Sequence, residues 1–330
     1  MPAADHRLTT REMATFVANG FLRFDALIPA AINEAIIDEL AALAAVKKRY
    51  ALASLGLPPA DSEQEPAAVD HPHSLTPLSA CYPPPSLVGE LLRLPQVQGI
   101  IESLIGADPL FDHDFVHFIP ARSERGQHLH VDAVIDNREP SFDVQLFYFP
   151  NAVAPGAGGT RFVPGSHLRL TRAEGVARYQ HLLGEAQYSG PAGTLLVFHQ
   201  GLWHAGQPNP SDDERWMYKI RLNPQVPQVL LWNTDDFAAL HNDARDHTFA
   251  HLRTDSVGQI LRQSHRWQQG HELRYEQMER ARLWRYLSDD ERFDVDYYHT
   301  RMEGRARANS GAGAAADAGA AAHPTSDPVA

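Results

Sequence analysis

Gln127-His128-Leu129-His130-Val131-Asp132-Ala133, QHLHVDA, is the stretch around which the chain can be read. It has strand character, and in a strand residues i and i+2 project from one face. His130 and Asp132 would then set an imidazole and a carboxylate side by side in one cavity. His128 shares that parity and is expected on the same inward face, as a polar residue lining the cavity. A second histidine from a distant strand would complete a set of two imidazoles and one carboxylate. Such a set occupies one face of an octahedral ion and leaves positions open, which suits Fe(II).

The surrounding sequence supplies strands for such a cavity. Residues 111–119 alternate and Pro120 ends the run. Further short strands are expected at 143–150, 160–163, 193–198, 202–206 and 215–223, separated by APGAGG, PGSH, SGPAG and QPNPSDD. Short strands at this spacing, without helices between them, predict an antiparallel sandwich or barrel. Upstream, Thr9 and Glu12 have capping-box spacing, so a helix should run to Asn19 and stop at Gly20, with a strand at 21–24. Residues 29–50 read as a helix, with Lys47-Lys48-Arg49 near its C-terminal end. Residues 58–84 read as a long loop or lid, and 86–106 as helix interrupted at Pro95.

Beyond residue 227 the pattern changes. Residues 251–287 have helical spacing, 289–298 are acidic and aromatic, and 304–330 are Ala/Gly-rich without an aromatic residue. The expected organisation is an oxygen-chemistry domain of strands with N-terminal helices over 1–226 and a helical extension over 227–303. A disordered tail is expected over 304–330. The extension is expected to pack on the core or on a second copy, which is compatible with a homodimer.

Composition excludes several classes. The 330 residues are 43% hydrophobic, enough for a sizeable core, and carry a net charge of −12. No Lys/Arg block stands out, which argues against nucleic acid or an anionic membrane surface as partner. No apolar run approaches the ~18–20 residues of a membrane span. The single cysteine, Cys81, and an N-terminal MPAADHRLTT without signal-peptide order point to a reducing, cytoplasmic setting.

Two histidines compete for the third ligand position, His204 in Trp203-His204-Ala205-Gly206 and His199 on the opposite parity. His204 is preferred for its context. Eleven residues on, Arg215 opens the next strand. A chelating 2-oxo acid needs a cation for its far carboxylate, and the planar guanidinium can bind one bidentately. Lys219 and Arg221 share the face of Arg215 and are the fallbacks. Three protein ligands leave three positions on Fe(II). The 2-oxo acid would fill two and dioxygen the last, so that succinate and carbon dioxide leave as the bound substrate is oxidised.

His130-Val131-Asp132, Pro164-Gly165-Ser166-His167, and His204-x-Gly206-x-x-Asn209 followed by Arg215 together resemble the phytanoyl-CoA dioxygenase family. The capped helix leading to Asn19-Gly20-Phe21 is similar too, and the resemblance spans roughly 9–225. It implies a mainly β fold with flanking α, a double-stranded β-helix (jelly-roll) core. It also implies an Fe(II)/2-oxoglutarate-dependent dioxygenase acting on a small organic molecule. Residue by residue, His130, Asp132 and His204 fall on the iron ligands and Arg215 on the 2-oxoglutarate anchor. Related halogenases replace the ligand aspartate with a small residue. Asp132 therefore favours hydroxylation or desaturation.

Other readings stay open at this point. Taken alone, His130 and Asp132 also fit a hydrogen-bonded surface or core pair, and Arg215 an ion pair with Asp212 or Asp213. His113 and His117 are expected to line a sheet face or pocket edge, Gly165 and Ser166 to hold a tight turn, and Asn209 to bond the turn after His204 or contact the site. A metal-dependent cupin working without oxidation, or a catalytically silent jelly roll that binds a ligand, would share the fold. The acidic composition points away from coenzyme A thioesters and toward a free small molecule.

Overall fold

The computed structural model describes residues 6–54, 71–132, 140–169, 171, 173–178, 181–241, 256–268 and 271–295. It opens with α1 (Thr10–Asn19), where the Thr9 hydroxyl accepts from the Glu12 amide and the Glu12 side chain accepts from the Thr9 amide. Gly20, at φ 77°, ends the helix in the left-handed region. A Cβ there would lie 2.5 Å from the ring of His167, so the turn leading into β1 (Phe21–Phe24) must be glycine.

The helix expected over 29–50 is two, α2 (Ala30–Ala35) and α3 (Ile37–Ser54). The offset at Ile36 lets Ile32, Ile36, Leu40 and Leu43 all reach one core. Because α3 continues to Ser54, the basic triplet does not sit in its last turn. Of the expected loop 58–84, residues 58–70 lie outside the described residues, and the rest is tied down. Leu75 and Thr76 bond Phe111, and a 3-10 turn spans Leu78–Ala80. Helices α4 (Leu87–Leu92) and α5 (Pro95–Ile105) follow, with Pro95 starting the second helix, where its missing N–H costs nothing.

The strands are β2 (Leu110–Ile119), β3 (Val144–Phe149), β4 (Arg161–Phe162), β5 (Ala186–Gln187), β6 (Thr194–His199), β7 (His204–Ala205) and β8 (Arg215–Asn223). They form two antiparallel sheets, ordered β1-β6-β3-β8-β2 and β5-β4-β7. The strand β5 was not expected from sequence. The stretch QHLHVDA is not a regular strand. His130 makes a single bridge to His204, and the Gln127 amide bonds the Gly206 carbonyl. The run lies extended beside β7, but too few consecutive bonds form for a ladder. Ala133 lies outside the described residues.

Parity explains the core. Val144, Leu146 and Tyr148 of β3, Leu195 and Val197 of β6, and Tyr218, Ile220 and Leu222 of β8 pack with the helices on the outer face of the large sheet. Phe147, Phe149, Leu196, Phe198 and Met217 point the other way and meet Phe162 of the small sheet. Both faces are covered, so β3 and β6 are buried at every position. The sequence expectation of a mainly β jelly-roll core with flanking helices is met.

The C-terminal part folds onto this core. After α6 (Ala173–Val176), which was not expected, come α7 (Phe237–His241), α8 (Val257–Arg262) and α9 (His271–Ser288). Val257, Leu261, Trp284 and Leu287 share one cluster with Phe16 and Val17 of α1. Residues 304–330, expected to be a disordered tail, lie outside the described residues.

Asp114 of β2 is fully buried on the helix side, bonded by His71 at 2.8 Å and by the Tyr82 hydroxyl at 2.5 Å. Removing the carboxylate strands both partners. Asp114→Ala is expected to lower the unfolding free energy by about 3 kcal/mol, measured by urea unfolding. A loss below about 1 kcal/mol would show that this network does not anchor the segment around 71–82.

Candidate active site

The bridge between His130 and His204 consists of two main-chain hydrogen bonds of 3.0 Å each. It places the imidazoles on one face, with ring centroids 4.5 Å apart. Each Nδ1–H donates to a carbonyl two residues back, His130 to His128 at 3.0 Å and His204 to Leu202 at 2.9 Å. Each Nε2 is thereby left as a lone-pair donor, the tautomer a metal ligand requires. Asp132 stands between them, 3.5 Å from His130 Nε2 and 3.5 Å from His204 Nε2. Among the described residues these three form the one group of His, Cys, Asp or Glu side chains that could hold a metal ion, with one donor atom from each within 4.8 Å of the others.

The electrostatics suit a cation. Burial pushes the Asp132 carboxyl up, but the neighbouring imidazoles and the Lys219 ammonium outweigh it. They hold the carboxyl well below the usual range. Burial lowers His204 to about 4, so it stays neutral. A metal ligand set needs an ionised carboxylate and neutral imidazole, and Asp132 and His204 meet that need; His130, lowered by burial but raised more by its bonds to Asp132 and the His128 carbonyl, lies above its ordinary value. Oδ2 of Asp132 accepts from Lys219 Nζ and Gln145 Nε2, each at 2.8 Å. Neither partner was singled out for this role in the sequence. Alternation along β8 placed Lys219 on the cavity face, but its pairing with Asp132 depends on a fold that no local pattern encodes.

The triad opens into a cavity of about 380 Å³ between the two sheets. Phe115, Phe147 and Met217 form apolar walls, and Arg215 reaches in from the start of β8. Arg215 is only 4% exposed, and its Nε and Nη1 find no hydrogen-bond partner. Burial lowers it to about 10, so it remains a cation at neutral pH. Asp212 pairs instead with Arg122 at 2.6 Å, and Asp213 forms no ion pair with Arg215 among the described residues. The two fallback cations are committed: Lys219 to Asp132, Arg221 to Asp143 and Asp112. Thr160, just before β4, also lines the cavity with a buried hydroxyl that has no partner. Its place at a strand start was readable, its inward direction was not.

Other candidates fall elsewhere. His199 is buried in the core, stacked on Phe142 at 5.1 Å, and its Nδ1 accepts from the Gly201 amide. His128 was expected to line the cavity but is exposed, because the irregular path of 127–130 turns Leu129 inward to a small core instead. His117 lines the cavity, while His113 bonds Asp112. Asn209 bonds the Pro120 and Asp213 carbonyls and holds the turn. The PGSH turn serves structure: the Ser166 hydroxyl accepts from the Trp203 amide at 3.0 Å, and His167 packs on Gly20.

A jelly roll with a His-Asp-His cluster facing an interior cavity is the architecture of a non-haem Fe(II) oxygenase. The sequence profile of the phytanoyl-CoA dioxygenase (PhyH) family matches residues 16–217, and the chain belongs to that family of Fe(II)/2-oxoglutarate-dependent oxygenases. No curated protein matches it. Similar solved structures include HygX from Streptomyces hygroscopicus with nickel and 2-oxoglutarate bound. It is 14% identical with a TM-score of 0.48, over 66% of this chain and 88% of that one. SnoK, a non-haem α-ketoglutarate-dependent carbocyclase from nogalamycin biosynthesis, is 20% identical with a TM-score of 0.43, over 68% and 87%. EctD from S. alaskensis is 19% identical with a TM-score of 0.42, over 68% and 80%. No helix among the described residues is long and apolar enough to cross a membrane.

An orphaned buried guanidinium costs stability that an apolar side chain of similar length would not. Arg215→Met is therefore expected to raise the unfolding free energy of the metal-free protein by about 1–2 kcal/mol, read from urea unfolding at pH 7. A net loss would mean that the guanidinium is satisfied in solution.

Proposed function

We propose that His130, Asp132 and His204 hold Fe(II) and that Arg215 receives the far carboxylate of 2-oxoglutarate. The enzyme hydroxylates or desaturates a small organic molecule, releasing succinate and carbon dioxide. Residues 1–226 are read as the oxygenase domain and 227–303 as an extension on it. The observation that carries this reading is Arg215, a buried cation without a partner, in the same cavity as the triad. Four residue steps along β8 separate it from Lys219, which touches Asp132. That is roughly 13 Å of strand, a distance that leaves room for a five-carbon diacid between anchor and metal.

When bound, the iron and the oxo acid supply the oxidising chemistry with dioxygen. The chain binds and orients. Arg215 and the Thr160 hydroxyl fix one end of the cosubstrate, Lys219 and Gln145 hold the Asp132 carboxylate, and the phenylalanine walls exclude water. The unpaired Arg215 speaks against a non-oxidative cupin, and the intact triad speaks against a silent ligand-binding jelly roll.

Anaerobic addition of Fe(II) and then 2-oxoglutarate to the metal-free protein is expected to produce a visible metal-to-ligand charge-transfer band, absent in Asp132→Ala. Iron binding without a band would sink the cosubstrate assignment. Removing one partner of a buried charge pair costs on the order of 2–5 kcal/mol. Arg215→Ala should therefore weaken 2-oxoglutarate at least tenfold with iron affinity unchanged. Thr160→Val, which removes one hydrogen bond of about 1 kcal/mol, should weaken it roughly fivefold. Cosubstrate affinity equal to wild type in both variants would refute the anchor.

A further inference from the structure

The two extended segments that carry the histidines have a second face. Leu129 and Val131 flank His130, and Trp203 and Ala205 flank His204. By alternation these four point away from the cavity. They gather with Val163, Val176 and Leu182 in a small cluster of their own, separate from the main core. One more residue packs against that cluster, Trp267, which lies between α8 and α9, beyond the end of the family match at residue 217.

Trp267 is held from three sides. Its indole lies over Trp203, with centroids 6.3 Å apart and planes at 28°. The Arg169 guanidinium sits 4.9 Å from its ring centroid, and its Nε1–H donates to the Pro164 carbonyl at 2.7 Å. Arg169 is itself fixed by the buried Glu276 of α9, at 2.7 Å. The Trp203 amide in turn donates to Ser166 of the turn that Trp267 bonds. The residue next to His204 is thus clamped between the PGSH turn and the C-terminal segment. A flat, rigid side chain is well suited to this, because it covers a large area with only two torsions to fix.

We infer that Trp267 is a positioning residue for the metal site. By packing on Trp203 and the Leu129–Val131 side, it keeps the His204 and His130 Nε2 atoms converged on one point. The inference rests on the reading that His130, Asp132 and His204 hold iron. Ligand geometry must be kept within about 0.5 Å to be productive. The loss of groups that orient metal ligands typically costs 10–100-fold in affinity.

The test compares Trp267→Ala, Trp267→Phe and Leu283→Ala, the last a truncation on α9 in the main core that touches no ligand strand. Three quantities are measured: anaerobic Fe(II) affinity, the charge-transfer band at saturating iron and 2-oxoglutarate, and the melting temperature without metal. Trp267→Ala is expected to lose about tenfold in Fe(II) affinity and to shift or broaden the band, with Trp267→Phe recovering most of both. Leu283→Ala should lower the melting temperature and leave iron affinity and band unchanged. The inference is overturned if Trp267→Ala behaves like Leu283→Ala, less stable but with wild-type iron affinity and band. If His204→Ala binds iron like wild type, the reading of the triad falls, and this inference with it. Should Trp267→Ala not fold, Trp267→Leu, which keeps bulk but not the flat face, carries the same comparison.

Discussion

Two main-chain hydrogen bonds between His130 and His204 set the geometry of the site. In an antiparallel pair, residues that exchange both bonds lie directly opposite, with side chains on the same face. The imidazoles meet because their backbones are paired, and neither ring has to search for the other. The same local pattern then repeats in each: Nδ1–H turns back to the carbonyl two residues earlier, and Nε2 faces Asp132. The bridge is isolated, so its persistence depends on what lies on either side. Ser123 and Asn209 pair further along, and β7 pairs with β4 on its other edge.

Charge is distributed unevenly through the cavity. Asp132 is satisfied by Lys219 and Gln145, whereas Arg215 and Thr160 are left with buried atoms unbonded. The walls between them are largely aromatic, so these charges interact in a medium of low polarity, where a missing partner costs more than in water. An assembly selected for stability alone would close that gap. Here the gap lies at the end of β8 away from Asp132, where an anion of matching length can close it. Metal and cosubstrate would therefore stabilise the fold as they bind, since they supply what the free protein lacks.

The sequence was legible where short-range chemistry decides structure. The capping box at Thr9 and Glu12, the left-handed Gly20 and the alternation of β8 depend on neighbours a few residues away, and each falls where expected. That His130, Asp132 and His204 cluster was legible for a different reason: metal chemistry restricts residue type so strongly that order and spacing carry information. What could not be read depends on long-range contacts. His128 has the parity of His130, yet an irregular path exposes it. The two-residue β5 is too short for any periodicity, and the offset at Ile36 serves a core shared with distant helices and strands. Lys219 looked interchangeable with Arg215, and only the fold shows that one is spoken for and the other is not.

Parity in β8 links all of this. Arg215, Met217 and Lys219 face the cavity while Trp216, Tyr218, Ile220 and Leu222 face the helices. A slip of one residue would bury Arg215 and Lys219 among the helices and push Trp216 and Tyr218 into the site, so both faces penalise it at once. The Tyr218 hydroxyl adds a polar lock by donating to Tyr82, which bonds Asp114 of β2. Register in this strand is therefore enforced from the side away from the chemistry. The helical layer does more than enclose a core, because it fixes which β8 side chains can reach the cavity. Its C-terminal part extends the same logic to the histidine strands, whose outer face would otherwise have only a small cluster to hold it.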